Sequence, residues 1–362
     1  MRGIRKRLFI IFCFLGSFCL PVTLYGANDI SDVLSLDSLF AMAQANVQQQ
    51  KGFEYATQLL EEARHRKDRY QEANAMFCYV RYYYSKNTDS MYFWMQKALP
   101  LFREQKRYVE YFRMKAWSIY VLNRSMQNEE ALKYVDDLKE EATSLNFPEG
   151  VEMANQALAD FYLSNNLGEE GVALYEEVIH SMEMRNAPLI KRINIIRQLM
   201  NKALDPETRL KYVERLDDYI KICKGKGIEW LDDEMSIYYL EYVMHRHYAI
   251  EYIGRDKLKE ALPHLQQAQA LLTKYEMYNY EIELKTIYGS YYQHSKQYNK
   301  ALAIFDTLLP VWRQRNTMGG YLDMLDRKAD VLLKMGRDRE ASQLYKEYAF
   351  LNDSLSKVRF YD

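Results

Sequence analysis

Apolar residues recur along this chain with helical spacing, and the recurrence itself repeats. A small residue opens an apolar stretch, and apolar residues follow at +4 and +7. Ala131 opens ALKYVDDLKEEA, and forty residues later Gly171 opens GVALYEEVIHSM. Ala261, Ala301 and Ala341 open three more such stretches, again forty apart. The +4 and +7 positions share one face of an α-helix, so each stretch predicts an amphipathic helix. Polar turns precede all five: SMQNEE, NNLGEE, GRDKLKE, SKQYNK and MGRDRE.

Each opener has a counterpart twelve residues earlier. These are Ile119, Ala159, Ala249, Gly289 and Ala329, four of them small. Three residues further on stand Leu122, Tyr162, Tyr252, Tyr292 and Leu332, all large. Two antiparallel helices of about 18 residues fit each period. Small residues let their backbones approach, and a large one fills the space beside the crossing. Pro148 and Pro188, also forty apart, fit the first turn of a helix, where a missing N–H costs nothing.

Weaker copies extend the array. Ala56, Leu60 and Ala63 predict a hairpin between Leu34 and Arg66, and Tyr79, Tyr82, Met91, Met95 and Ala98 a second. A hairpin from Pro188 to Lys224 has its second helix starting near Pro206, with Lys211 where a small residue is expected. The step from there to Ala261 is about ten residues too long. The excess falls at 225–229 and predicts a loop, with a junction between one array over 27–224 and another over 225–362.

The pattern resembles the tetratricopeptide repeat. The best copy is YGSYYQHSKQYNKALAIFDTLL, Tyr288 to Leu309, in which Gly289, Tyr292, Ala301 and Phe305 match. Leu308 replaces the family's last Ala, and the consensus Trp is absent from every copy. A period of forty, longer than the family's 34, implies longer helices. The resemblance implies an all-α, right-handed superhelical solenoid of about eight antiparallel hairpins, its first helices lining a concave groove. It places Arg113, Tyr120, Asn123, Gln156, Asp160, Arg246, Ser290, Gln293, Asp326 and Asp330 at groove positions. That mixed polar set suits an extended peptide. It lacks the Lys/Asn carboxylate clamp of chaperone-binding members, so a C-terminal carboxylate ligand is not implied.

Composition narrows the function. Only 14 Gly and 7 Pro leave too few turn residues for a β-rich chain. A formal net charge of -1 does not mark a nucleic-acid binder. Arg2, Arg5, Lys6 and Arg7 precede an uncharged stretch from Leu8 to Leu20, then Pro21 and Gly26-Ala27. This reads as an export signal over 1–26, too short for a membrane span of about 20 residues. A periplasmic or secreted location follows, with an uncleaved anchor as the alternative. Neither Cys13 nor Cys19 sits in a lipoprotein box, and the mature chain retains Cys78 and Cys223, read as buried small hydrophobes.

Catalytic patterns are missing. The sequence has no G-x-S-x-G, H-E-x-x-H, Walker A or G-x-G-x-x-G motif. His245 and His247 point apart on a helix, and His65, His180, His264 and His294 stand alone, so no metal is expected. Gly225-Lys226-Gly227 reads as a helix end rather than a phosphate loop. No cofactor is implied. Consecutive tyrosines, as in Tyr82-Tyr83-Tyr84, cannot all enter the core, and those left outside suit an interface.

At the C-terminus Leu351, Leu355 and Val358 continue an apolar stripe. YKEYAFLNDSLSKVRF resembles the exit from periplasmic repeat regions of bacterial sensor proteins. In those, a long helix leads on to a membrane span and a signalling module, neither of which follows here. The expectation is a non-catalytic exported protein that binds a peptide or protein in a sensory setting, with self-association through the last helix a further option. The alternative is a cell-envelope assembly scaffold.

Overall fold

The computed structural model describes residues 35–202, 205–231, 235–314 and 318–361. The export signal expected over 1–26 lies outside them. The described residues form sixteen α-helices and one short 3-10 turn, with no strand. They fall into two compact units, one up to Ala98 and one from Leu99.

The first unit holds α1 (Leu36–Ala45), α2 (Gln50–His65), α3 (Arg69–Tyr83) and the start of α4 (Thr88–Glu104). The hairpin expected between Leu34 and Arg66 is α1 and α2. Ala56, Leu60 and Ala63 are buried on it, as are Tyr79, Met91, Met95 and Ala98 on the next. Gly52 lies so close to the turn before α2 that a Cβ there would sit 2.1 Å from the Asn46 carbonyl oxygen.

The second unit continues with α5 (Tyr108–Arg124), α6 (Asn128–Ser144), α7 (Pro148–Ser164) and α8 (Gly168–Met184). Then come α9 (Leu189–Lys202), α10 (Pro206–Gly225), α11 (Ile237–Gly254) and α12 (Leu258–Lys274). After the 3-10 turn Tyr278–Tyr280 follow α13 (Glu281–His294), α14 (Tyr298–Gln314), α15 (Met318–Lys334) and α16 (Asp338–Tyr361). From α5 to α16 each helix packs on the next, and α5 also packs on α7 and α11 on α13.

The forty-residue period is twice a period of twenty. Lys106, Met126, Asn146, Asn166 and Asn186 all have positive φ and lie twenty apart. After a step of seventy residues, Asp256, Glu276 and Lys296 resume the spacing, and Gly336 falls two steps further on. Each closes the helix before it in a left-handed turn. At Met126 the amide N–H bonds to the Asn123 carbonyl at 3.1 Å, and the Gln127 N–H bonds to Leu122 at 3.0 Å. The Gln127 carbonyl already accepts from Ala131, at 3.0 Å, inside the next helix. A seventeen-residue helix and a three-residue turn therefore make one module.

The small seam residues are where the pattern puts them. Ala131, Ala261, Ala301 and Ala341 are fully buried, as are Ala159, Ala249 and Ala329. A Cβ on Gly171 would lie 2.9 Å from the Ala159 carbonyl oxygen of α7. On Gly289 it would lie 2.5 Å from the Phe305 ring of α14.

The irregular hairpin is α9 and α10. Asp205 caps α10 by accepting from the Thr208 N–H at 2.8 Å, with Pro206 in the first turn. The helix runs on to Gly225 and closes through Gly227. The connection to α11 is pinned by an antiparallel bridge between Trp230 and Ser236. The excess of about ten residues lies here, inside the second unit. One buried core runs past it, from Ala159 through Leu216 and Leu240 to Ile287.

Candidate binding surface

The ten groove positions all fall in the second unit, on first helices α5, α7, α11, α13 and α15. They are exposed or half-buried. Several share a register: Tyr120 and Asp160 are one period apart, as are Ser290 and Asp330. Most are tied to the neighbouring first helix. The Asn165 Nδ2 at the end of α7 donates to Asn123 Oδ1 at 2.9 Å. Lys202 of α9 pairs with Asp160 of α7, which also accepts from the Tyr175 hydroxyl. Arg246 of α11 pairs with Glu283 of α13. Arg327 of α15 donates to Ser290 Oγ of α13 at 2.7 Å, and Gln293 Nε2 donates to Asp330 Oδ2 at 2.5 Å. Arg197 of α9 adds another by donating to the Tyr239 hydroxyl of α11 at 3.0 Å.

These bonds are rungs between successive first helices. Their two ends stand 37 to 42 residues apart, which is one period. Six of the ten residues are therefore rung members, and their polar atoms hold the array before they can meet a ligand. Arg113, Tyr120, Gln156 and Asp326 occupy the same face. Tyr120 and Asp326 are exposed, and the Arg124 guanidinium lies 5.9 Å from the Tyr120 ring.

Two acids of the first helices are sunk against partners from the second helices. Glu152 of α7 is 3% exposed and accepts from Arg185, at 2.8 and 2.7 Å, and from Ser181. Glu251 of α11 is also 3% exposed and accepts from Arg209 of α10 at 2.7 Å. Burial raises the Tyr175 hydroxyl far above its ordinary pKa, reinforced by the Asp160 carboxylate, so it serves only as a proton donor.

Other residues marked by the sequence fall as follows. The amides of Lys226, Gly227 and Ile228 bond back to carbonyls of α10, so Gly225-Lys226-Gly227 closes a helix and has no amides turned outward for phosphate. Cys78 and Cys223 are buried free thiols, and burial pushes Cys78 up to about 12. Tyr242 is fully buried, whereas Tyr82 is half-buried under the Lys86 ammonium, 3.4 Å from its ring centre. His264, expected to stand alone, does not: its Nδ1 lies 2.9 Å from Nδ1 of His245. The two are nineteen residues apart and meet across the α11–α12 hairpin. Among the described residues no three His, Cys, Asp or Glu converge as metal ligands, and no helix is long and apolar enough to cross a membrane.

The rung partners Lys202, Glu283 and Arg327 do not stand out in the sequence one repeat at a time. Setting each first helix beside the next shows them, because acid, base or amide recurs opposite a complementary group.

No protein-family model matches the chain, and no curated protein matches it either. Solved structures do resemble it. One is a signal transduction ATPase with numerous domains, carrying a tetratricopeptide repeat sensor, from Pyrococcus horikoshii. It aligns with a TM-score of 0.56 at 14% identity, over 89% of this chain and 49% of that one. This chain thus spans about half of that protein's length. Another is BtubC (BKLC) from P. vanneervenii, with a TM-score of 0.46 at 13% identity over 63% of this chain and 92% of that one. At these identities the first likeness supports a helical repeat solenoid and nothing finer.

Proposed function

We propose that this chain is an exported, non-catalytic tetratricopeptide-type module that holds a peptide or protein partner against the first-helix face of its second unit. One observation carries the reading. Polar and aromatic side chains recur on successive first helices, so the face offers a repeated row along which an extended chain can bond. The rungs hold that row in place, which lowers the ordering cost on binding. Tyr120, Gln156 and Asp326 add contacts on the same face, and an exposed tyrosine is a favoured anchor at interfaces. We read the setting as regulatory by analogy with the repeat sensor of the solved structure that shares this fold.

The leader pattern supports export with removal near Ala27. Mass determination of the protein from an envelope fraction tests this, since retention of residues 1–26 would mean an anchor.

The binding test uses the chain from Ala27 as bait on envelope extract, beside a variant with Tyr120→Ala, Gln156→Ala and Asp326→Ala. These substitutions leave the six rung members in place. The expected result is a partner held by the first bait, with affinity reduced at least about ten-fold in the variant. Equal retention by both baits would remove binding from this face. A partner drawn from outer-membrane or secretion assemblies would favour the scaffold role.

A further inference from the structure

Two histidines meet between α11 and α12 in the second unit, and a third is buried on another side of α11. His245 and His247 lie on α11 and His264 on α12, while His65, His180 and His294 are exposed. Each of the three rings makes a contact that an added proton disturbs. His245 and His264 meet through Nδ1 atoms 2.9 Å apart. One nitrogen donates and the other accepts, so only one proton fits between them. A second would set two N–H groups against each other. Tyr248 stacks on His264 with ring centres 4.6 Å apart, and Tyr252 lies at 5.6 Å.

His247 is buried, 6% exposed. Its Nε2 lies 2.7 Å from Arg246 Nη2. A guanidinium only donates, so this nitrogen must accept and the ring is neutral. Arg209 of α10 and Arg197 of α9 add further positive charge around it. Burial, then these charges, push His247 down to about 3. Burial, then His264, push His245 down to about 4. Burial lowers His264 as well.

The other charges at the seam are largely committed. Asp217 of α10 favours protonation of His245 and His264, but it pairs with Lys221. Lys224 of α10 opposes protonation of His245 and pairs with Glu241 of α11. Glu251 holds Arg209, and Glu283 of α13 holds Arg246. The seam also adjoins the connection from α10 to α11, where the repeat register slips.

We propose that the seam between α10, α11 and α12 is a proton-operated joint, in which neutral imidazoles clamp α11 in place and acid releases it beside the register slip. The direction follows from linkage. Protonation favours whichever state binds the proton more tightly. A histidine whose pKa is lower folded than unfolded therefore contributes stability above its unfolded value and loses it as pH falls. Release begins below about pH 6.5 and grows toward pH 4.

The test is hydrogen exchange on the full chain at pH 7.5 and pH 5, corrected for intrinsic exchange. The opening equilibrium of α11 and α12 should rise about ten-fold or more beyond that of α6 to α8, because a histidine freed by opening takes up a proton that its folded site refuses. A variant with His245→Asn, His247→Gln and His264→Asn should lose that excess. Uniform loosening of all helices, no loosening at α11, or an excess that survives in the variant would each overturn the joint. Should the variant fail to fold, NMR titration of the native imidazoles decides. Three midpoints below those of the exposed histidines support the proposal, and midpoints at or above about 6.5 refute it.

Discussion

Helices α5 to α8 and helices α9 to α12 use the same hairpin but join their hairpins differently. In the first stretch every helix has seventeen residues and every turn three, with a left-handed residue each twenty positions. In the second, α9 has fourteen residues, α10 has twenty, and residues 226–236 separate α10 from α11. The regular stretch repeats one local solution, so each turn is satisfied by its own backbone. The irregular stretch loses that local repetition at the connection to α11, while side-chain pairs cross the seams of both stretches: Arg209 with Glu251 and Lys224 with Glu241 in one, Lys115 with Glu141 and Arg185 with Glu152 in the other. Its core is also densely branched, with Ile193, Ile195, Ile196, Val213 and Ile220 buried together. A repeat array can accept a slip of register when one buried core runs past it.

The largest expected effect separates the two stretches at their buried acids. Arg209→Ala strands Glu251 between α10 and α11, in the irregular stretch, and Arg185→Ala strands Glu152 in the regular part. Removing one partner of a buried pair costs about 3–5 kcal/mol. Urea unfolding of each variant should show a loss of this size. Glu152 keeps Ser181 as a donor, so Arg185→Ala should be the milder. Equal or reversed losses would break the comparison.

A smaller effect probes the regular seam. Gly171→Ala adds a methyl 2.9 Å from a backbone oxygen that cannot yield cheaply. Overpacking of this kind costs about 1–3 kcal/mol, offset by at most about 1 kcal/mol from better helix propensity. A net loss in the same unfolding assay is expected, and a gain would mean that α7 and α8 separate easily.

The smallest effect probes the turns. Met126 holds a left-handed conformation with an ordinary side chain, at φ 58°. Met126→Gly should stabilise the protein by up to about 1 kcal/mol, because glycine escapes the Cβ clash at the cost of a freer unfolded chain. Gly227→Ala, at φ 66° beside the irregular connection, should destabilise by a similar amount. Thermal melting of the two variants checks the opposite signs.

These turns also explain what the sequence hid. The hairpin period was legible because small residues such as Ala131, Gly171 and Ala301 recur at the crossings, where no larger group fits. The twenty-residue module was not, since its marker residue is Lys, Met, Asn, Asp or Glu instead of Gly. Composition correctly suggested few breakers, but left-handed closures do not need glycine at every helix end. The first-helix face was legible as a row of polar positions. That Asp160, Arg246 and Ser290 would be tied to their neighbours depended on Lys202, Glu283 and Arg327 one period on, which no single repeat displays. The His245–His264 contact depended on how the two helices of one hairpin are rotated, and spacing along the chain does not encode that.

The two buried thiols give the molecule a pair of internal clocks. Cys78 lies in the first unit and Cys223 on α10 of the second, and beyond residue 26 the chain has no other cysteine. A sealed thiol reacts with an added reagent only when its surroundings open, because the reactive species is the thiolate. The modification rate at each sulfur thus counts the openings of its own unit, without a label and without altering a residue.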